Sequence, residues 1–233
     1  MHSPVSQETF DFLLTSDSCS IANAIESFDV RLRNEGFSQP SLCCRFPGMS
    51  PMVGYATTLR VRAGSPPPRG HAYFDRTDWW QAMSPLDVPH ILVIEDIGSK
   101  PGVGAFVGEV HASILKALGC VGAMTNGSVR DLPAVERLGF NLFSANVSVS
   151  HAYMHVVEVG TPVTIAGLEI SQGDLLHGDQ HGILNIPLEI AEQIPSASAQ
   201  LRQREAAITE FCRSEAFSAE GLQRLLKGDA DQG

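Results

Sequence analysis

One stretch narrows the possible folds more than any other. It runs HILVIED (His90 to Asp96), GEVHASILKALG (Gly108 to Gly119), CVGAMT from Cys120, LPAVERL from Leu132 and FNLFSA from Phe140. HILVIED is a short, β-branched apolar run without alternation, the pattern of a strand buried on both faces. A helix is expected after Gly108, with Val110, Ile114, Ala117 and Leu118 inward and Gly119 at its end. CVGAMT reads as a second strand, a short helix begins at Asp131 and Pro133, and FNLFSA reads as a third strand. Strand–helix–strand–helix–strand at this spacing favours parallel pairing through right-handed crossovers. The fold class is therefore α/β, built on a central βαβαβ unit.

The flanks have weaker patterns. From Ser20 to Arg33, helical periodicity puts Ile21, Ala24, Ile25, Phe28 and Leu32 on one face. VGYATTLRVRA, after the PGMSP loop, reads as a strand. SPPPRGH (Ser65 to His71) is without regular pattern, and YFDRTDWWQAM after it reads as a short helix; together they form an expected insertion or lid. After Ser150, short alternating runs split by VGTP, AG, QGD and DQHG predict antiparallel strands, hence an antiparallel β layer beside the parallel centre. PLEIAEQI and one charged helix, about Ala199 to Leu226, finish the chain. No internal repeat is present. The expected plan is one domain over residues 1–233, with a core of about 15–195 and a helical extension of about 196–233.

Composition restricts partners. The 233 residues carry a formal net charge of −10, which argues against a nucleic-acid partner because such proteins present a basic face. A few arginines can still gather around an anionic small molecule. No apolar run approaches the roughly 18–20 residues of a membrane span, and the N-terminus lacks a basic start followed by an apolar core. Cys19, Cys43, Cys44, Cys120 and Cys212 are odd in number and lack CxxC spacing. Buried, reduced thiols in a cytoplasmic protein without a membrane partner are the expectation. Trp79 and Trp80 are expected to pack in the core rather than stack on bases.

The charged residues of the central unit are the candidates for chemistry. Gly104 and Gly108 would let backbone approach a ligand, and the N–H groups from Glu109 to His111 would open toward it, as helix starts do toward carboxylates and phosphates. Glu109 could equally be decoration of the helix dipole. Asp131 could cap the next helix through its side chain, and Arg130 could be a solvated loop cation. Both charged ends nevertheless follow strands, and α/β sheets bind ligands at the carboxyl ends of strands. A convergent Glu, Asp and Arg suits a hard divalent cation with a 2-oxo acid. His151 and His155 would share a face on a helix and could bind metal, but a structural or loop role is favoured. In HGDQHG, His177, Asp179 and His181 are explained more simply by a tight turn than by a metal site.

At these residues the sequence resembles the RraA-like family. It shares an acidic residue, a twenty-residue spacer and Arg-Asp, here Glu109, residues 110–129 and Arg130-Asp131. QGDLLHGDQHGILNIP is similar to a second family stretch at Gly173, Asp174, Asp179, Gly182 and Pro187, and PGMSPMVGYATTLRV to a third. The resemblance spans roughly residues 15–195. It includes class II 4-hydroxy-4-methyl-2-oxoglutarate/4-carboxy-4-hydroxy-2-oxoadipate aldolases.

What the resemblance implies is specific. The fold would be a β/β/α swivelling, phosphohistidine-domain-like one, self-associated as a trimer or a dimer of trimers with the site between subunits. Asp131 would ligate Mg²⁺ or Mn²⁺, Glu109 would hold ion-bound water, and Arg130 would bind the keto acid and stabilise its enolate. The helix start at Gly108, Glu109, Val110 and His111 would receive the pyruvyl carboxylate. The reaction would be retro-aldol cleavage of a 4-hydroxy-2-oxo acid to pyruvate, with oxaloacetate decarboxylase activity through the same enolate. GEVH replaces the family's more aliphatic run and places His111 near that carboxylate. The same family includes the regulator of ribonuclease activity A, so a non-catalytic trimer binding an RNA-degrading enzyme is the alternative, as is a lyase or decarboxylase for another keto acid.

Overall fold

The computed structural model describes residues 5–67, 77, 79–80 and 88–230. Of the expected insertion and its short helix, Ser65–Pro67, Thr77, Trp79 and Trp80 fall within those residues; the rest lies outside them. The described residues form eleven strands: β1 (Cys43–Cys44), β2 (Met52–Arg62), β3 (His90–Asp96), β4 (Ala105–Val107), β5 (Cys120–Val129), β6 (Asn141–Val147), β7 (His155–Val159), β8 (Val163–Ile165), β9 (Leu168–Ile170), β10 (Leu175–Asp179) and β11 (Gly182–Ile186). The helices are α1 (Gln7–Thr15), α2 (Ser18–Glu26), α3 (Glu109–Ala117), α4 (Leu132–Arg137), α5 (Ile194–Arg213) and α6 (Ala219–Ala230).

Nine strands form one sheet in the order β1-β6-β5-β3-β2-β10-β11, with β4 added on β5 and β7 on β2. β2–β3, β3–β5 and β5–β6 are parallel, so the expected βαβαβ centre is present. The strands after Ser150 are antiparallel, yet they do not form a separate layer. β7 and β10 both join β2 directly, and β8–β9 is a two-stranded sheet by itself. The sheet also nearly closes. Ser38 N–H donates to Ile183 O at 2.8 Å on the β11 edge, and Cys43 pairs with Ser144 on β6 near the other. Five residues of chain span at most roughly 17 Å, so the two edges must approach each other.

β3 explains why its sequence does not alternate. Leu92 and Ile94 enter one apolar cluster with Phe106, Leu115 and Phe140, while Ile91 and Val93 enter another with Met124 and Phe143. Each such side chain is worth about 1.5–3 kcal/mol of burial. A third cluster docks Leu13, Ile21, Ala24 and Ile25 against Tyr55, Leu175 and Ile194.

Several sequence expectations are corrected. The N-terminal helix ends at Glu26, not near Arg33; Asp29 turns the backbone to φ +50°, and Leu32 is left exposed. The charged C-terminal helix is two helices, because Ser218 Oγ accepts Gly221 N–H at 3.1 Å and starts α6 afresh. On α3 the inward residues are His111, Ala112 and Leu115, while Val110 is 64% exposed and Ala117 is also exposed. The apolar stripe was misphased because a histidine holds its central position. Of the cysteines, all free, only Cys120 is buried among the described residues, where burial pushes its thiol up to about 12. Trp79 packs on Phe106 as expected, with ring centroids 6.1 Å apart.

Candidate functional site

The strand the sequence concealed, β4, brings the candidate residues together. It pairs with the end of β5, Ala105 with Ser128 and Val107 with Val129, and Arg130 N–H donates to Val107 O at 3.0 Å. The loop leading into α3 is thereby drawn alongside the residues that follow β5. Gly108, the N-cap of α3, lies so close that an added Cβ would stand 2.5 Å from Asp131 Oδ2 and 2.9 Å from Arg130 Cγ. A side chain at this position would force Asp131 and Arg130 to shift. The expected convergence of Glu109 with Arg130-Asp131 is thus found at the carboxyl edge of the sheet.

Asp131 is the most constrained residue in this group. It precedes α4 with φ +56° and ψ +34°, in the left-handed region that costs a non-glycine residue about 1–2 kcal/mol. Its side chain makes no capping bond to α4, so the capping alternative fails. Oδ2 instead accepts the Glu109 N–H at 3.1 Å and lies 3.3 Å from Arg130 Nε, without hydrogen-bond geometry. Among the described residues Oδ1 accepts no hydrogen bond. The Arg130–Asp131 side chains are 31% and 38% exposed, and an ion pair that open adds little stability. Backbone strain held without a stabilising cap makes Asp131 a candidate for a functional role.

The helix start differs in detail from expectation. The Glu109 N–H is already taken by Asp131, leaving Val110 and His111 for any further anion contact. Glu109 itself is exposed, its carboxylate turned to solvent. Gly104 is not open to a ligand, since an added Cβ would meet His151 O at 2.3 Å. The His111 side chain is buried in the core rather than turned to solvent. Its Nδ1 lies 2.6 Å from Phe106 O, its ring is 4.8 Å from that of Phe106, and burial holds the imidazole below its ordinary range.

His151 lies in a turn and His155 begins β7, with Nδ1 2.7 Å from Tyr153 O, so the two share no helix face. His177 is fully buried, held between Ser18 Oγ at 2.9 Å and the carbonyls of Leu13 and Ser16 at 3.1 and 3.0 Å. Asp179 binds Ser18 N–H and His181 N–H, each at 2.8 Å, so the hairpin turn anchors α2 as the turn reading required. One buried acid escaped the sequence reading: Asp96 accepts Gly98 N–H at 2.9 Å and Gly102 N–H at 2.8 Å. The signal for it was the Asp-x-Gly turn in EDIGSKPG.

Could this edge hold a metal? Its donors, the Asp131 and Glu109 carboxylates, are hard oxygens, with one Asp131 oxygen uncommitted. Among the described residues no three His, Cys, Asp or Glu side chains cluster as metal ligands. A closed zinc-type cage is therefore a poor fit. A cation that keeps most of its water and takes one or two carboxylates, as Mg²⁺ does, fits these residues.

Comparison with known proteins covers most of the chain. The RraA-like family model, described as Aldolase/RraA, matches residues 18–184. A protein of Halalkalibacterium halodurans provisionally named 4-hydroxy-4-methyl-2-oxoglutarate aldolase is 25% identical over 164 residues, covering 68% of this chain and 72% of its own length. Among solved structures, an uncharacterized protein from Pseudomonas syringae pv. tomato superimposes with TM-score 0.73 at 21% identity, covering 96% of both chains. RraAS2 of Streptomyces coelicolor, described as an unusual member of the RNase ES inhibitor RraA family, gives TM-score 0.68 at 19% identity, covering 92% of this chain and all of that one. At these identities the structures speak for the fold.

Proposed function

The chain belongs to the RraA-like family, and from that premise we propose that it is a divalent-metal-dependent lyase releasing pyruvate from 4-hydroxy-2-oxo acids. The observation that carries the proposal is the packing of Arg130 and a strained, uncapped Asp131 against Gly108, beside Glu109. Arg130 and two carboxylates at one sheet edge suit an enolate-forming reaction better than they suit stability.

Each residue has a task. Asp131 would hold Mg²⁺ or Mn²⁺, which when bound supplies Lewis-acid polarisation of the 2-oxo group. Arg130 donates to the 2-oxo oxygen as negative charge develops there. The N–H groups of Val110 and His111, at the start of α3, receive the substrate carboxylate. Glu109 holds the proton acceptor for the C4 hydroxyl in place. The C3–C4 bond breaks, its electron pair remains on C3 as the enolate, and C4 leaves as a carbonyl compound. Protonation at C3 gives pyruvate. Loss of CO₂ from oxaloacetate produces the same enolate, so decarboxylation accompanies cleavage.

The proposal extends to one domain over residues 1–233 in a β/β/α swivelling fold, assembled as trimers or pairs of trimers in the cytoplasm, without nucleic-acid or membrane partners. The test is pyruvate release from 4-hydroxy-2-oxo acids and oxaloacetate with Mg²⁺ or Mn²⁺, with EDTA, and after Asp131→Ala. Metal-dependent release that Asp131→Ala removes is the expected result. Metal-independent turnover, or full activity in D131A, overturns it. Absence of turnover with every keto acid, together with tight binding to an RNA-degrading enzyme, would assign the chain to the regulators instead.

A further inference from the structure

We infer that Asp96 and Asn126 are a positioning pair: they fix where the start of α3 lies against Arg130-Asp131, and so whether one ligand can reach both. The inference rests on the lyase reading above, and neither residue touches substrate in it.

Both residues stand where β5 changes partners. From Cys120 to Thr125 it pairs with β3; at Ser128 and Val129 it pairs with β4. Between the two it bulges, because Thr125 and Ser128 oppose Ser144 and Asn146 of β6, and a bulge re-aims the residues that follow it. Asn126 sits in the bulge, and past Ile94 its side chain makes the tie from β5 to β3. Its Oδ1 accepts the Asp96 N–H at 2.7 Å, and its Nδ2 donates to Asp96 O at 3.2 Å. Gly127 packs on the same residue, a Cβ there standing 3.4 Å from Asp96 Cβ.

The Asp96 side chain carries the tie onward. Buried, it commits both oxygens to the turn that leads into β4, Oδ1 to the Gly98 N–H at 2.9 Å and Oδ2 to the Gly102 N–H at 2.8 Å. Ser128 Oγ donates to Gly102 O at 2.6 Å, so the turn is tied to β5 beyond the bulge as well. β4 itself has only three residues, and its register on β5 shifts between Ala105 and Val107. The core contact of Phe106 sets which face of β4 is inward; the turn held by Asp96 adds ties along the strand.

The two halves of the site are therefore held differently. Arg130-Asp131 follow β5, which stays paired with β6 through Val129 and Val147, and Ser148 N–H donates to Val129 O at 3.0 Å. Val110 and His111 follow β4 and move with the turn. Loss of the clamp shifts the second half against the first. A ligand that uses one half is indifferent to that shift. A 2-oxo acid that spans both is not, and a misplacement of about 1 Å can cost on the order of 100-fold.

The experiment uses the full chain with Mn²⁺ and oxalate, a planar mimic of the pyruvate enolate. In D96N the amide keeps one acceptor oxygen, so one of the two glycine N–H groups loses its partner. N126A removes both bonds to the Asp96 backbone. In both variants Mn²⁺ affinity, read from its EPR signal, should match the wild type, because β5 and β6 still hold Asp131. Oxalate affinity in the presence of Mn²⁺, and kcat/KM for pyruvate release, should fall about 10- to 100-fold. S128A, which loses one hydroxyl, should move both in the same direction and supplies the reading where the other two do not fold. D179A, which weakens the fold elsewhere, should leave oxalate affinity unchanged. Oxalate affinity that stays at the wild-type value in the clamp variants, or falls equally in D179A, overturns the inference, gives Asp96 to stability alone and leaves the lyase reading intact. So does a loss of Mn²⁺ affinity as large as the loss for oxalate. Absence of Mn²⁺ binding to the wild type, with no pyruvate from any keto acid, removes the lyase reading itself.

Discussion

Asp131 and Asp179 both lie in stretches that resemble the family, and their surroundings differ. Asp179 sits in a hairpin where Ser18 and His181 saturate it with hydrogen bonds. Burial pushes its carboxyl up, but those bonds outweigh it and hold the group below the usual carboxylate range. His177 beside it is likewise consumed, bonded at both ring nitrogens. Asp131 has one donor, a strained backbone and an uncommitted oxygen. The difference teaches how to separate structure from chemistry here. A carboxylate whose hydrogen bonds are complete holds the fold together; one kept in strain with capacity left over is available to a ligand.

Substitutions can break that comparison. The largest effect is expected at Asp131: D131A should lower pyruvate release by about 100-fold or more, the scale of losing one charge-stabilising group. D131G should be as inactive, yet its stability in urea should stay within about 1 kcal/mol of the parent, because glycine relieves the left-handed backbone. Asp179→Ala should behave inversely, costing about 1–3 kcal/mol in urea unfolding because it leaves the part-buried Ser18 N–H at the start of α2 without its acceptor, with activity per folded molecule retained. Loss of activity without loss of stability in D179A would erase the distinction. Gly108→Ala is expected to cost about 10-fold in kcat, since its Cβ would displace Asp131 and Arg130, with the urea midpoint lowered less than in D179A.

The smallest effect concerns pH. Burial holds His177 below its ordinary range, more strongly than the nearby Asp179 and Asp17 charges and two carbonyls raise it. Above pH 6.5 both folded and unfolded chains carry it neutral. Below that value the unfolded chain takes up a proton first, so stability falls as pH drops toward the folded value. Buried His111 acts with the same sign, and Asp179 adds to the loss at still lower pH. His177→Gln should therefore flatten, though not abolish, the slope of unfolding free energy between pH 6.5 and 5, read from urea titrations at each pH. An unchanged slope would show that His177 does not carry it.

The central unit could be read in advance because its signals are local. HILVIED is apolar on successive residues, glycines bracket α3, and the spacing of strands and helices permits one handedness of connection. The pairing of Glu109 with Arg130-Asp131 followed from topology, since both follow strands of the same parallel sheet. β4 could not be read: three residues make a strand only because β5 extends past its predicted end to receive them. The face of α3 was misjudged for a related reason. His111 counts as polar in a periodic pattern, yet a carbonyl at Phe106 makes its burial tolerable.

By itself, then, the sequence determined the elements whose burial is written into consecutive residues, and the α/β class that their order imposes. It also supplied the acidic residue and the Arg-Asp pair at their spacing. Tertiary structure decided which of the charged residues remain available. That choice depends on hydrogen bonds between residues far apart in the chain, such as Ser18 to Asp179 and Glu109 to Asp131. Local pattern does not encode such contacts, because a carboxylate's partners are set by where the sheet brings other backbone groups, not by its neighbours in sequence.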